Sequence, residues 1–209
     1  MRKDGFYARF VKRAIDFFGS LTLLILLFPL LVVLYFVIAW KMGRPVFFRQ
    51  MRSGYKGKRF SLIKFRSMTD ARDKDGKILP DEERLPRFGH ILRKTSLDEL
   101  PELINIFLGH MSLVGPRPLV VEYDEIYTEN HKRRLDVRPG LTGLAAVRGR
   151  NAQRWRNIFD SDVEYVDKIS LGLDLQIIWL TFLTVVKRSG VDRPTHYVKV
   201  LGPGYENEG

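Results

Sequence analysis

The sequence predicts an α+β, mainly helical fold: an N-terminal re-entrant, kinked membrane helix joined to a small cytoplasmic-face domain that carries a short β-hairpin. Three features predict it. A long uncharged apolar run lies near the start with a proline at its middle, and basic residues crowd both of its ends. Two β-rich segments around a glycine-bearing turn follow, and the remaining apolar stretches have helical length and helix-stop signals.

From Phe17 to Trp40 no charged residue occurs, and Leu21 to Ile38 is almost entirely Leu, Ile, Val and Phe. As one helix this segment would be about 36 Å long, enough to cross the hydrocarbon core. Pro29 removes a backbone hydrogen bond and crowds the preceding turn, which predicts a kink there. Arg2, Lys3, Arg9, Lys12 and Arg13 precede the segment, and Lys41, Arg44, Arg49 and Arg52 follow it. Lys and Arg favour the cytoplasmic side, so this balance predicts both ends on that side. A plain spanning helix that tolerates its proline is the alternative. A cleaved signal peptide fits poorly, because the run is long and ends in Ala39-Trp40-Lys41-Met42 rather than at a small-residue cleavage site.

Beyond it, Val46 to Gln50 and Arg59 to Phe65 read as strands joined by Ser53-Gly54-Tyr55-Lys56-Gly57, a hairpin. Asp70 to Arg87, with charges of both signs and two prolines, reads as an exposed loop. Leu100 to Leu108 is a short apolar helix stopped by Gly109, and Tyr123 to Arg134 is a polar surface helix. Leu173 to Val186 is apolar nearly all round, and Lys187, Arg188 and Gly190 favour a helix end. It is too short to span a bilayer comfortably, and is either a core helix or one lying in the interface. No repeat, low-complexity tract or inter-domain linker is evident. The expected division is residues 1–41, the N-terminal start and membrane helix, and residues 42–209, one catalytic unit.

The chain has 209 residues, with 35 Lys and Arg against 24 Asp and Glu and a formal charge of +11. That length favours one functional unit, and that charge favours anionic partners: nucleic acid, lipid headgroups or phosphorylated small molecules. The absence of cysteine excludes disulfides, a thiolate nucleophile and Cys-ligated zinc. His90, His110, His131 and His196 are scattered without metal-ligand spacing, and read as ordinary structural residues.

The chemistry concentrates in Thr95-Ser96-Leu97-Asp98-Glu99-Leu100-Pro101-Glu102-Leu103, where adjacent carboxylates precede an apolar helix. Ser96 and Glu99 have capping-box spacing, and the cap falls on either Ser96 or Asp98. Both acids would then lie at the positive end of a helix, a position that favours ionised carboxylate and attracts phosphate. An ionised Asp can attack a phosphoryl group, and a bound Mg²⁺ can offset the repulsion between carboxylate and diphosphate. Simple helix capping accounts for the same two residues. In Gly115-Pro116-Arg117-Pro118, two prolines restrain the backbone around a guanidinium suited to bidentate phosphate contact, although the tripeptide alone is a common turn. Lys64-Phe65-Arg66-Ser67-Met68 adds cations at the exit of the hairpin, and Arg93 precedes Asp98 by five positions. Arg138-Pro139-Gly140-Leu141-Thr142-Gly143 and Arg148-Gly149-Arg150 supply glycine-bordered basic loops.

In this order, these motifs resemble the monotopic phosphoglycosyl transferases, the bacterial sugar transferase family, from about Phe10 to Gly190. The resemblance implies a re-entrant helix centred on Pro29, a Mg²⁺-dependent Asp98-Glu99 dyad and a covalent phosphosugar intermediate. It implies a UDP-sugar donor, undecaprenyl phosphate as acceptor, and the first membrane step of glycoconjugate assembly at the bacterial inner membrane. By the same resemblance Asp98 is nucleophile and metal contact, Glu99 its partner, and Lys64, Arg93, Arg117 and Arg150 handle phosphates or donor. One departure concerns the kink: small members often have Ser before the membrane proline, and Phe28 stands here. Lacking a long polytopic N-terminal region, the chain looks like a small, catalytic-core member; the tail after Arg193, with Thr195-His196-Tyr197 and Tyr205, falls outside the likeness.

Two other classes fit the charge. A membrane-tethered nucleic-acid or anionic-lipid binding module is one, but no RNA-binding aromatic motif, zinc finger or basic heptad region is present, and Asp98-Glu99 would have no task. A non-catalytic membrane scaffold is the other. Release of UMP from a UDP-sugar in the presence of Mg²⁺ separates the enzyme from both. The residues do not identify the sugar, since selectivity depends on pocket shape.

Overall fold

The computed structural model describes residues 5–149 and 155–186. A π-helical turn, Tyr7–Val11, leads into α1, Lys12–Met42, which continues as α-helix across Pro29. The hairpin follows: β1, Phe47–Ser53, pairs antiparallel with β2, Arg59–Phe65, with Phe48 opposite Lys64 and Arg52 opposite Phe60. Then come α2, Asp81–Arg84, and α3, Arg87–Lys94, so the expected loop is interrupted by one short helix and runs into the start of another. A 3₁₀ turn, Leu97–Glu99, precedes α4, Glu102–Phe107. β3, Ser112–Val114, pairs in parallel with β4, Gly140–Thr142, around α5, Glu129–Lys132. α6, Leu144–Arg148, α7, Trp155–Lys168, and α8, Leu171–Val186, complete the described chain.

α1 is not a free-standing rod. Leu24 and Leu27 pack on Phe60, Leu103 and Ile106, and farther along Leu34 and Ile38 join Val46, Phe65 and Leu92. At its start Arg13 donates to the carbonyls of Ile106 and Phe107, both at 2.8 Å, at the end of α4, where carbonyls run out of i+4 helical partners. Asp16 accepts from Ser112 Oγ and Leu113 N, each at 2.9 Å. At its other end Arg66 donates to the carbonyls of Met42 and Arg44. The outer face remains bare: Ile25, Leu26, Phe28, Val33, Phe36 and Trp40 are all exposed. Such a continuous apolar surface calls for an apolar surrounding.

α8 has both characters expected of Leu173 to Val186. Ile177 and Asp174 are buried, whereas Leu175, Trp179 and Phe182 point outwards. The buried carboxylate of Asp174 is satisfied by Lys12 Nζ at 2.7 Å, Tyr7 Oη at 2.5 Å and Tyr165 Oη at 2.7 Å, which ties the start of α1 to α8.

The polar helix expected over Tyr123 to Arg134 is instead three pieces: 3₁₀ turns at Val121–Glu125 and Arg133–Asp136 with α5 between them. Thr128 explains the break, because its hydroxyl accepts from His131 N at 3.2 Å and starts a new helix. Nor is the segment wholly on the surface, since His131 and Arg134 are buried against α7.

Candidate active site

The expected capping box does not form. Ser96 sits in the left-handed region at φ 55°, makes no side-chain cap bond, and gives only its carbonyl to Glu99 N at 3.2 Å. A non-glycine residue held there is strained, a feature concentrated at functional sites. The turn sets Asp98 and Glu99 ahead of α4 rather than within its first turn, and Pro101 is the residue that flanks the helix.

The two carboxylates have opposite surroundings. Glu99 Oε1 accepts from Lys64 Nζ at 2.8 Å and from Arg117 Nη2 at 2.9 Å. Lys64 Nζ also lies 2.9 Å from Glu102 Oε1, so one ammonium serves two glutamates. Asp98 is only 8% exposed, yet its carboxylate accepts no hydrogen bond from any described residue. Burial, and next the charge of Glu99, push its carboxyl up to about 6, although Lys64, Arg93 and Arg117 pull the other way. Burial alone would raise Glu99 as well, but Arg117 and Lys64 outweigh it and hold that carboxyl well below the usual range. Burial dominates at Glu102, and Lys64 does not fully offset it, so that carboxyl is raised. The Arg117 side chain is 60% exposed against 16% for Lys64, so water screens its pull and Lys64 is the firmer hold.

Backbone contacts explain how distant motifs meet here. A Cβ on Gly89 would lie 1.9 Å from the Ser67 carbonyl, so only glycine lets α3 approach the exit of β2 this closely. Arg93 Nε then reaches Ser67 Oγ at 2.9 Å and its charge acts on Asp98. Likewise, a Cβ on Gly140 would fall 2.0 Å from Gly115 N, which is why Gly115-Pro116-Arg117-Pro118 and Arg138-Pro139-Gly140-Leu141-Thr142-Gly143 can run side by side. Behind Arg117, Arg134 Nη2 donates to the Arg117 carbonyl at 2.7 Å and to Asp162 Oδ2 at 2.8 Å. Both members of that ion pair are 2% exposed, and losing one would strand a buried charge at a cost of about 3–5 kcal/mol.

Thus Lys64, Arg93, Asp98, Glu99 and Arg117 converge, while Arg150 lies outside the described residues. Three other cations of the quoted motifs have structural partners: Arg66 the end of α1, Arg138 the Gly109 carbonyl at 2.9 Å, and Arg148 the Glu164 carboxylate. Sequence reasoning missed Glu102 and Arg134. A third acid one helical turn after Asp98 was a signal for Glu102, but nothing near Arg134 announces Asp162.

No group of three or more His, Cys, Asp or Glu side chains that could hold a metal ion occurs among the described residues. This donor set suits Mg²⁺ more than a metal requiring a protein cage, since Mg²⁺ commonly binds one or two carboxylates together with substrate phosphates and water. An Asp98 carboxylate that is unbonded among the described residues and raised by burial, and next by the charge of Glu99, is of the kind a cation would relieve.

The bacterial sugar transferase family model matches residues 7–188. The chain is 46% identical over 186 residues to the uncharacterized sugar transferase EpsL of Bacillus subtilis, covering 89% of this chain and 92% of that one. It is 39% identical over 186 residues to the UDP-glucose:undecaprenyl-phosphate glucose-1-phosphate transferase of Klebsiella pneumoniae, covering 81% of this chain and 39% of that protein. Against the undecaprenyl-phosphate galactose phosphotransferase of Salmonella typhimurium it is 37% identical over 201 residues, or 88% of this chain and 42% of that one. The chain therefore spans well under half of those two larger relatives. A match running from the turn before α1 to the end of α8 takes in every element that builds the site, and the chain belongs to the bacterial sugar transferase family.

Proposed function

We propose that the chain transfers a sugar 1-phosphate from a UDP-sugar to undecaprenyl phosphate, through a phosphosugar held covalently on Asp98. An Asp98 carboxylate oxygen attacks the sugar-side phosphorus, the bond from that phosphorus to the nucleotide's bridging oxygen breaks, and UMP leaves. A phosphate oxygen of the acceptor then attacks the same phosphorus and releases Asp98, giving the polyprenyl-diphosphate-sugar. The observation that carries this reading is the contrast within the dyad: Asp98 is buried without a hydrogen-bond partner among the described residues, while Glu99 is clamped by Lys64 and Arg117. A carboxylate free of donors keeps its lone pairs available for attack, and the surrounding cations stabilise the charge that gathers on the phosphates. Asp98 would hold Mg²⁺ together with phosphate oxygens, and the ion would supply charge neutralisation when bound. Lys64, Arg93 and Arg117 take the phosphates, and Arg150 is assigned the same task from its place in the motif. The relatives named for transfer from UDP-glucose and for galactose phosphotransfer to undecaprenyl phosphate support the donor and acceptor classes. Nucleic acid has no part in this reading. Incubating the protein with undecaprenyl phosphate, Mg²⁺ and a panel of UDP-sugars should release UMP with at least one of them; no UMP from any would sink the proposal.

We further propose that α1 re-enters the cytoplasmic face of the inner membrane, with the rest of the chain, residues 42–209, on that face. Both ends of the helix support this, since Arg13 and Asp16 bond to the residues around α4 and β3 while Leu34, Ile38 and Met42 pack near the exit of the hairpin. A helix crossing the bilayer would separate its ends by the membrane thickness, yet both lie against the charged domain. The chain has no cysteine, so labelling is clean. Single cysteines at Arg9 and Lys56 should both resist a membrane-impermeant reagent added outside intact cells, and labelling at one alone would establish a spanning helix.

A further inference from the structure

The strand face that bears Lys64 bears a second cation that the reaction just described does not use. Side chains alternate along β1, and the pairing of Phe48 with Lys64 and of Arg52 with Phe60 puts Phe48, Gln50 and Arg52 on the Lys64 face of the hairpin. Arg52 reaches from there to the loop that carries Arg117: its Nη1 donates to the Pro118 carbonyl at 3.3 Å, and its Nη2 to Gln50 Oε1 at 2.6 Å. A backbone bridge from Arg52 to Val120 and a bond from Ser53 N to the Leu119 carbonyl at 3.1 Å hold the two segments together.

The guanidinium has no counterion among the described residues. No carboxylate forms an ion pair with it among the described residues, and its buried Nε has no hydrogen-bond partner. Glu102, Tyr123 and Glu122 act on it only from a distance, and Glu102 is already engaged by Lys64. Burial, and next the charge of Arg117, draw the guanidinium below its ordinary value. Two cations meet at one loop, and the half-buried Arg52 keeps Nη hydrogens beyond those given to Pro118 and Gln50, so the pair forms a site that an anion relieves. Arg117 contacts Glu99 and its charge acts on Asp98, whereas Arg52 joins the same loop through Pro118 and is not among the charges that act on Asp98.

We propose that Arg52 is a second anchor for the donor diphosphate, holding the phosphate that leaves on the nucleoside while Arg117 holds the one that is transferred. This rests on the UDP-sugar reading above. It assigns Arg52 to the nucleoside monophosphate product as much as to the donor, and gives it no part in binding the acceptor. Retaining the leaving phosphate after the bond breaks would make UMP a competitive inhibitor.

The test uses the full chain in detergent or nanodisc, with UMP itself as probe. Arg52→Gln should raise the donor KM and the UMP inhibition constant together, by roughly tenfold or more, with the acceptor KM unchanged. Arg52→Lys should fall between wild type and Arg52→Gln, because it restores the charge but not the planar fork. Should Arg52→Gln fail to fold, Arg52→Lys carries the same comparison. An unaltered UMP inhibition constant would overturn the assignment, and so would equal rises in donor and acceptor KM accompanied by a lower melting temperature, which mark a general distortion. If the wild-type protein itself released no UMP from any UDP-sugar, the transferase reading would fall first, a result distinguishable from normal wild-type turnover with an indifferent Arg52.

Discussion

Asp98→Asn is expected to abolish turnover, by at least about 10⁴-fold, and at the same time to make the metal-free protein more stable. The first effect follows because an amide of the same shape has no anionic oxygen with which to attack phosphorus. The second follows from burial. The native carboxyl sits at about 6 against 3.8 for the unperturbed group, so the folded state binds its proton more tightly than the unfolded chain does. Stability therefore falls as pH rises between about 4 and 6, and the whole penalty is present above 6. At about 1.4 kcal/mol per unit the strain is of the order of 3 kcal/mol, several degrees of melting temperature for a domain of this size. Melting wild type and Asp98→Asn in EDTA should show the variant ahead at pH 7.5, with the gap closing near pH 4. A variant that melts lower at pH 7.5, or a gap indifferent to pH, would mean that Asp98 is not held in an unfavourable ionised state.

The second large effect is expected at Arg117. Arg117→Lys keeps the positive charge but should lower kcat/KM by well over tenfold, more than about 1.4 kcal/mol of transition-state stabilisation. An ammonium is a point charge and cannot reproduce the planar two-point grip of a guanidinium on phosphate. The surroundings sharpen this expectation. The backbone at Arg117 is fixed by Pro116 and Pro118, and its carbonyl is held by the buried Arg134–Asp162 pair, so the side chain is presented from a rigid base. Its head is nevertheless largely exposed, with one bond to Glu99, and can turn to a ligand. Near-normal turnover by the folded variant would make Arg117 a structural turn residue.

Much of this was legible because its signals are local. Ser53-Gly54-Tyr55-Lys56-Gly57 between apolar segments announced the hairpin, and the second strand runs from Arg59 to Phe65 as read. The apolar length around Pro29 announced α1, and Gly109 the stop after α4. What was not legible depends on distant partners. Arg134 reads as a surface residue until Asp162, 28 positions later, closes on it. The pairing of β3 with β4 is parallel and only three residues long, too short for any periodicity, and is recognisable only once Gly115 and Gly140 are seen back to back. Ser96 had the spacing of a cap, but its left-handed backbone turned the hydroxyl away from that duty. At the site, the motifs named the acids and most of the cations, but not the arrangement in which Glu99 is bound and Asp98 is left free. Nor did they single out Arg52, which appeared merely as one of the basic residues following the membrane segment.

The contrast between a clamped Glu99 and a free Asp98 carries the covalent reading if Asp98 forms a bond to phosphorus. Donor and acceptor are both anionic, so bringing them together in one step is electrostatically unfavourable, whereas a covalent intermediate lets UMP depart before the acceptor attacks. The most direct measurement is the intact mass of the protein after incubation with its UDP-sugar and Mg²⁺ in the absence of polyprenyl phosphate. Wild type should gain the mass of one phosphosugar with release of UMP, the adduct should map to Asp98, and Asp98→Asn should gain nothing. Absence of any trapped adduct, together with kinetics that require donor and acceptor to be bound at once, would contradict the account and make Asp98 a base or metal ligand in a direct transfer.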